Sequence, residues 1–529
     1  MTDTDATTGQ VDTGDPNKWM TLVAVSLGTF MLLLDITIVN VALPDIQTSL
    51  GASFSDLQWV VDAYALTLAA LLLTAGSLAD MYGRRLLYSV GLVIFTAASM
   101  LCGFANGHLF LEISRAAQGV GGAIMFSVSL ALLANAFRGR DRGLAFGVWG
   151  AITGIAVAIG PLLGGVLTSG LSWRWIFFVN LPIGIAALFM TVTRVTESKD
   201  PNPRRPDWVG VATFTLALGS LIYALIESSE RGFSDARVVG CFIAAAVLLI
   251  AFVIAERFGQ HPMFDLRLFK LPTFTGGLVA AFGISASIFS MFLYLVLYIQ
   301  DLLGYSAFGT GLRLLVISAA IMVTATIAGR MTERVPVKWL IAPGLLLVGV
   351  GLLLMRGLTA SSEWTHLVPG FIVAGVGIGL INPPLASTAV GVVEPHRAGM
   401  ASGINSTFRQ VGIATGIALL GTLFSNRVQD DIVSRLRHIR GAGEHVASVA
   451  SGLKSGETGH IIASLPPGLR APIGAAARGA FTSGLDLILL VSAVIALASA
   501  AICLVTIRQK DFVQRGRTSY ESTGDVALK

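Results

Sequence analysis

Asp35 is the only acid between residues 20 and 42, an apolar run long enough to cross a bilayer. An ionised carboxylate at mid-bilayer costs about 2.5–3.5 kcal/mol even on lenient insertion scales, so it should be paired or protonated. A second charge, Arg115, stands in the apolar run 108–135, with Glu112 three residues earlier on the same helix face. An intramembrane arginine must face the protein interior and find an acid. Glu112 is one acid within its reach. Burial disfavours the charged form of a carboxyl, and a nearby cation favours it. A carboxyl whose surroundings alternate between those conditions can take up and release a proton. The same residues would also serve as a fixed ion pair that only holds helices together.

Other polar residues interrupt apolar runs. Asp62 lies about two turns into the run 57–78, where it would bind a cation or sit near headgroups. Asn40 shares the run of Asp35. Asn405, Arg409 and Gln410 lie in the run 401–424 and are expected to face a cavity. Trp149 would offer a flat ligand an aromatic surface, or simply pack. Catalytic constellations are missing from the sequence. The seven histidines are scattered, with no His-Glu-x-x-His, and no Gly-x-x-x-x-Gly-Lys-Ser/Thr loop marks an ATP site. The expectation is no catalytic residue, no metal and no cofactor.

The elements that must hold these residues follow from composition. Of 529 residues 54% are hydrophobic and 13% charged, whereas a soluble domain carries roughly 25% charged residues. Mean hydropathy is +0.75. Too little polar surface remains to coat a soluble body, so the bilayer is the expected solvent. The 59 glycines fit close helix packing in lipid. Net charge is +5 and reads as Lys and Arg held on one side, not as a nucleic-acid partner. Cys102, Cys241 and Cys503 each sit in an apolar run and are expected as buried thiols.

About fourteen runs qualify as spans: 20–42, 57–78, 87–105, 108–135, 143–167, 174–193, 209–227, 237–255, 273–299, 310–330, 338–356, 365–390, 401–424 and 482–507. Lys and Arg concentrate after the even-numbered runs, at Arg84-Arg85, Arg138 to Arg142, Arg194 to Arg205 and Arg257 to Lys270. The positive-inside rule then places both termini in the cytoplasm. The polar tail 1–18 lacks the basic-then-apolar order of a signal peptide. Residues 425–481 carry Arg427, Arg435, Arg437, Arg440 and Lys454 among other bases on the opposite side and are expected as a long external loop, with some amphipathic helix and a turn at Pro466-Pro467. A faint repeat relates Gly76…Asp80…Arg84 to Gly329…Glu333…Arg334, and transporters are often built from two such halves around a central site.

Four segments are similar to the major facilitator superfamily, and within it to the fourteen-helix drug:proton antiporters. They are Leu34-Asp35 to Pro44, Gly76 to Arg85, Arg115 to Gly122, and Gly150 to Gly165. The resemblance covers nearly the whole chain from Trp19 to Ile507. It implies that Arg115 lies near Asp35 and that both take part in proton transfer, so Arg115 is expected to be shared between Asp35 and Glu112. It implies that Gly76, Asp80, Gly83, Arg84 and Arg85 dock the two halves at the cytoplasmic surface and gate the inward opening; a plain basic anchor would explain the arginines but not Gly76, Asp80 and Gly83. It implies that Gly154, Gly160, Pro161, Gly164 and Gly165 form an antiporter helix, where Pro161 removes a backbone donor and kinks the chain; small-residue packing would use the same glycines.

The expected fold is an all-α polytopic membrane protein of two six-helix bundles, 19–193 and 256–507, with linker and inserted helices at 194–255 and a C-terminal tail at 508–529. The expected function is proton-coupled export of lipophilic or cationic drug-like molecules by alternating access in the cell membrane, as a monomer, with a small molecule, protons and lipid as partners. The alternatives are a dedicated exporter of an endogenous metabolite or self-made antibiotic and, more remotely, a membrane-embedded enzyme or a channel.

Overall fold

The computed structural model describes residues 17–52, 54–137, 139–199, 207–258, 264–332, 334–394, 397–437, 439, 448–449, 461–462 and 464–512. Each of the fourteen apolar runs is helical. The first seven are α1 (Lys18–Leu50), α2 (Phe54–Tyr82), α3 (Arg84–Gly103), α4 (His108–Ala136), α5 (Gly139–Gly170), the pair α6 (Trp175–Phe178) and α7 (Asn180–Arg194), and α8 (Trp208–Arg231). Next come α9 (Ala236–Phe258), α10 (Pro272–Ile284) and α11 (Ser290–Leu297), the last two joined by a wide π turn at Ser285–Phe289. The chain continues through α12 (Ala307–Met331), α13 (Lys338–Leu354), α14 (Val368–Gly391), α15 (Ala398–Leu436) and α16 (Pro467–Thr506). Twelve helical segments among the described residues are long and apolar enough to span a membrane. Lys338–Leu354 is a shorter apolar helix, and Gly139–Gly170 runs for 32 residues.

Two bundles result. Helices α1 to α7 pack on one another, chiefly through α2–α4, α3–α4 and α1–α5. Helices α10 to α16 form the second set, through α12–α14, α13–α14, α13–α16 and α15–α16. The sets meet along two seams, α5–α12 and α2–α15. Glycine makes both possible. A Cβ at Gly76 of α2 would stand 2.3 Å from the Gly399 carbonyl of α15, and one at Gly329 of α12 would stand 2.4 Å from the Gly143 carbonyl of α5. These are the two glycines of the internal repeat, so each copy supplies the close approach to the opposite bundle. Glu333, its second acid, lies outside the described residues.

The inserted pair sits outside this frame. α8 packs on α9 and also on α2 and α15, with Thr74 and Thr215 sharing a hydrogen bond of 3.0 Å. α9 turns Val239, Ile243, Val247, Ile250 and Ile254 outward, as a helix bathed in lipid should.

The segment 425–481 differs from the expected loop. α15 continues to Leu436, with Phe424, Val428, Ile432 and Leu436 buried at helical spacing. Pro466-Pro467 starts a helix instead of making a turn: Pro467 is the first residue of α16, where its missing N–H is no loss. The apolar stripe on both extensions explains why they fold as helix.

Candidate functional site

Asp35 is fully buried on α1. Its oxygen Oδ2 accepts from Arg115 Nη1 of α4. Oδ1 accepts from Gln118 Nε2 at 2.8 Å and from Asn180 Nδ2 at 3.1 Å. Arg115 is buried too, and its other bonds run to the Val60 carbonyl at 2.9 Å and to Gln118 Oε1 at 2.7 Å. The guanidinium lies 4.3 Å from the centre of the Tyr64 ring, a cation–π contact that desolvation strengthens. Three helices, α1, α4 and α7, thus meet at one carboxylate, and every group on it is a donor. Thr37, half a turn on from Asp35, donates back to the Leu34 carbonyl at 3.1 Å.

Glu112 is not part of this cluster. It bonds His108 Nδ1 at 3.2 Å, and that imidazole lies 3.6 Å from Asp56. Side chains on a helix lean toward its N-terminus, which carries Glu112 to His108 one turn back and away from the Asp35 cage. The expected sharing of Arg115 between two acids is therefore replaced by one acid, one amide and a backbone carbonyl.

The second cluster lies at the α2–α15 seam. Asp80 Oδ1 accepts from Arg84 Nε at 2.8 Å and from the Gly399 amide at 2.9 Å; Oδ2 accepts from the Met400 amide at 2.8 Å. α15 has no side-chain cap of its own. The carboxylate of α2 serves instead, satisfying two orphan amides and meeting the positive end of the helix dipole. The expected surface position is thus corrected: Asp80 is 6% and Arg84 3% exposed, because the start of α15 covers them. Gly83 turns the chain between α2 and α3 with φ +122°, where other residues are strained. Glu197 reaches back to the Arg85 and Leu86 amides at 2.9 and 3.1 Å and caps α3. Arg397, just before α15, bonds Asp265 at 2.9 Å. Burial pushes the Asp265 carboxyl up, but the bonds from Arg267 and Arg397 outweigh it and hold the group below its usual range.

On α5 the glycines face other helices. A Cβ at Gly160 would lie 1.8 Å from Thr37 Oγ1, and one at Gly164 would lie 3.1 Å from Ile38 Cγ1, both on α1. Gly154 faces Ile321 of α12. Gly165 is half-buried. The helix runs on through position 161, while the side chains of Pro161 and Asn40 lie outside the described residues. Trp149 is buried in the first bundle, donating to Thr29 Oγ1 at 3.0 Å and packing 6.1 Å from Phe126, so it offers no open aromatic face. Asn405 is buried, and Asp62 and Gln410 are half-buried. Arg409 donates to Asn382 Oδ1 at 3.1 Å. Asn382 lines a small central cavity of about 30 Å³ between the bundles, together with Thr153, Phe289, Ile317 and Ser318. That space holds roughly one water.

Asn180, Asn382 and Ser99 are polar groups of these sites that sequence reasoning passed over. A signal existed for two of them: each asparagine interrupts an apolar helix just ahead of a proline, in Asn180-Leu-Pro182 and Asn382-Pro383-Pro384.

Comparison with known proteins agrees with this architecture. The chain is 38% identical over 407 residues to the multidrug resistance protein Stp of Mycobacterium tuberculosis, covering 77% of this chain and 76% of that one. It is 36% identical to the puromycin resistance protein pur8 of Streptomyces alboniger, over 77% of this chain and 82% of the relative. It is 30% identical to the tetracenomycin C resistance and export protein of Streptomyces glaucescens, over 92% and 91%. Among solved structures, the human organic anion transporter MFSD10 superposes with a TM-score of 0.60 at 15% identity, covering 91% of this chain and all of that one, a likeness of fold alone. The family model of the Major Facilitator Superfamily matches residues 25–417. Twelve membrane-long apolar helices among the described residues, an internal repeat whose glycines close both seams, and these matches make the chain a multi-pass membrane transporter of the Major Facilitator Superfamily.

Proposed function

We propose that the protein is a proton-coupled antiporter that exports lipophilic or cationic drug-like molecules from the cytoplasm across the cell membrane, acting as a monomer with both termini cytoplasmic. The carrying observation is the wholly buried Asp35, held by Arg115, Gln118 and Asn180. A carboxylate placed so costs too much to serve as packing, and a group that can shed its charge is what a proton gradient acts on. The two rocking units are residues 19–193 and 256–507, with the external excursion 425–481 in the second. Asp80 and its glycine-rich surroundings latch the units at the cytoplasmic end, and the α5 glycines let α1 and α12 slide close by. Asn40, Asp62, Asn405, Arg409 and Gln410 are the candidate substrate contacts, reached when the centre opens. The names of the relatives, which speak of multidrug, puromycin and tetracenomycin C resistance, support export over uptake. The Streptomyces relatives also favour a second reading on the same fold, a dedicated exporter of one self-made antibiotic.

Proton release tests the coupling. Purified protein in detergent, weakly buffered, should release protons when a transported drug is added, and Asp35→Asn should release none while still binding drug. If Asp35→Asn releases as many protons as the parent, the carrier is another group and the coupling assigned to Asp35 is wrong. A panel of dyes and antibiotics in inverted vesicles separates the broad exporter from the dedicated one.

A further inference from the structure

Asn180 opens α7 where the chain breaks from α6, and Pro182 two residues on has no N–H to return to the Phe178 carbonyl. The break brings a neutral amide into the Asp35 cage. Asn180 is fully buried. Its Nδ2 donates to Asp35 Oδ1 at 3.1 Å and to Ser99 Oγ at 2.9 Å. Its Oδ1 is buried with no hydrogen-bond partner, a costly state that calls for a reason.

Resting on Asp35 as the proton carrier, we propose that Asn180 is a proton-linked positioning residue: its amide donates to Asp35 while the carboxylate is charged, and turns over to accept from Asp35 once the carboxyl carries a proton.

The donor count leads there. Arg115 Nη1, Gln118 Nε2 and Asn180 Nδ2 all donate to the carboxylate. They suit the ionised form. A protonated carboxyl becomes a donor itself and needs an acceptor, which an arginine cannot be. Gln118 Oε1 is already taken, by Arg115 at 2.7 Å and by the Cys102 thiol at 3.8 Å. Ser99 Oγ donates to the Phe177 carbonyl at 3.0 Å and accepts from both Gln118 and Asn180. Among the side chains bonded to Asp35, the Asn180 oxygen alone has acceptor capacity and no donor. A half-turn about Cβ–Cγ exchanges Oδ1 and Nδ2 with little change of shape. Ser99 can follow by turning its hydroxyl from Phe177 to the amide oxygen. One proton enters from solvent onto Asp35 and later leaves to solvent; the amide gains and loses none. The titratable groups facing Asp35 are Arg115 on α4, Tyr64 on α2 under the guanidinium, and Cys102 on α3. All three belong to the first bundle, so the switch needs nothing from the second.

Infrared difference spectra of the full-length protein in lipid nanodiscs, acid minus alkaline, read the switch directly. The C=O stretch of protonated Asp35 is the band missing in Asp35→Asn. Asn180→Leu keeps the size and loses the acceptor, so the band should move to higher frequency, toward that of an unbonded carboxylic acid. Asn180→Gln should move it less. Asn180→Ala gives the same upward shift and serves should leucine prevent folding. A band at the parental frequency in Asn180→Leu or Asn180→Ala overturns the proposal. If the parent shows no titrating band that Asp35→Asn removes, Asp35 is not the carrier and the reading beneath the proposal fails as well. A merely structural asparagine would lower the yield of folded protein without moving the band.

Discussion

Asp35 and Asp80 are both buried aspartates with an arginine at hand, yet their other partners differ. Asp35 meets three side-chain donors on two other helices, within one bundle, whereas Asp80 meets backbone amides across a seam. The first arrangement was half legible in the sequence. A charge in an apolar run has few ways to be satisfied, so Asp35 and Arg115 could each be read as needing a partner, with the family resemblance pairing them. Gln118 and Asn180 could not, because a neutral amide in an apolar run breaks no rule strongly enough to announce a partner. Glu112 misled because three-residue spacing says which face a side chain shares, not which way it leans. Glycine is the other residue-scale determinant. Gly160→Val would drive a methyl group into Thr37 of α1, and overpacking of this kind costs about 1–3 kcal/mol. The purified variant should unfold at a lower temperature than the parent, while Gly170→Ala, with open space around its Cβ position, should match the parent. Equal melting of Gly160→Val and the parent would mean that α1 and α5 do not pack this closely.

At the scale of elements, α15 depends on a neighbour for its first turn. Asp80→Asn keeps one acceptor oxygen, loses the charge and turns an N–H toward an amide of α15. Loss of a cap of this kind costs about 1–2 kcal/mol, a factor of roughly 5–30 in the balance between closed and open seam. Export should fall with the protein still present in the membrane at parental level. A cysteine at Ser77, buried beside the seam, should react faster with a thiol reagent in the Asp80→Asn background. Unchanged export and unchanged reactivity together would remove the latch. The spacing of Gly76, Asp80 and Gly83 made this cluster visible in the sequence, but its burial was not, since nothing local states that the start of a helix more than 300 residues on will cover it. The helical extensions of α15 and α16 were hidden for a related reason: their apolar stripe is one-sided and interspersed with Arg427, Arg435 and Arg478, so a search for uniformly apolar runs stops short of them.

For the whole molecule, the helical, membrane-spanning character of the apolar runs was legible because a span needs about 20 apolar residues and little else. The seams were not, since packing between bundles depends on glycines that occur throughout the chain. Sidedness has a direct test. In a background with Cys102, Cys241 and Cys503 replaced, a cysteine at the exposed Ser361 should label from outside intact cells with a membrane-impermeant maleimide, and one at the exposed Lys199 should label only after permeabilisation; the reverse pattern would invert the molecule. The placement of α8 matters for where a lipid-dissolved compound could enter. The bilayer acts as a two-dimensional reservoir that concentrates greasy solutes, and a cavity between two bundles could be filled sideways through either seam. α8 lies against α2 and α15 together, with Tyr223 near Trp59 and Thr215 bonded to Thr74. It therefore roofs one seam from the hydrocarbon, leaving α5–α12 as the flank on which α8 casts no cover. Lateral traffic in such a molecule is one-sided by construction.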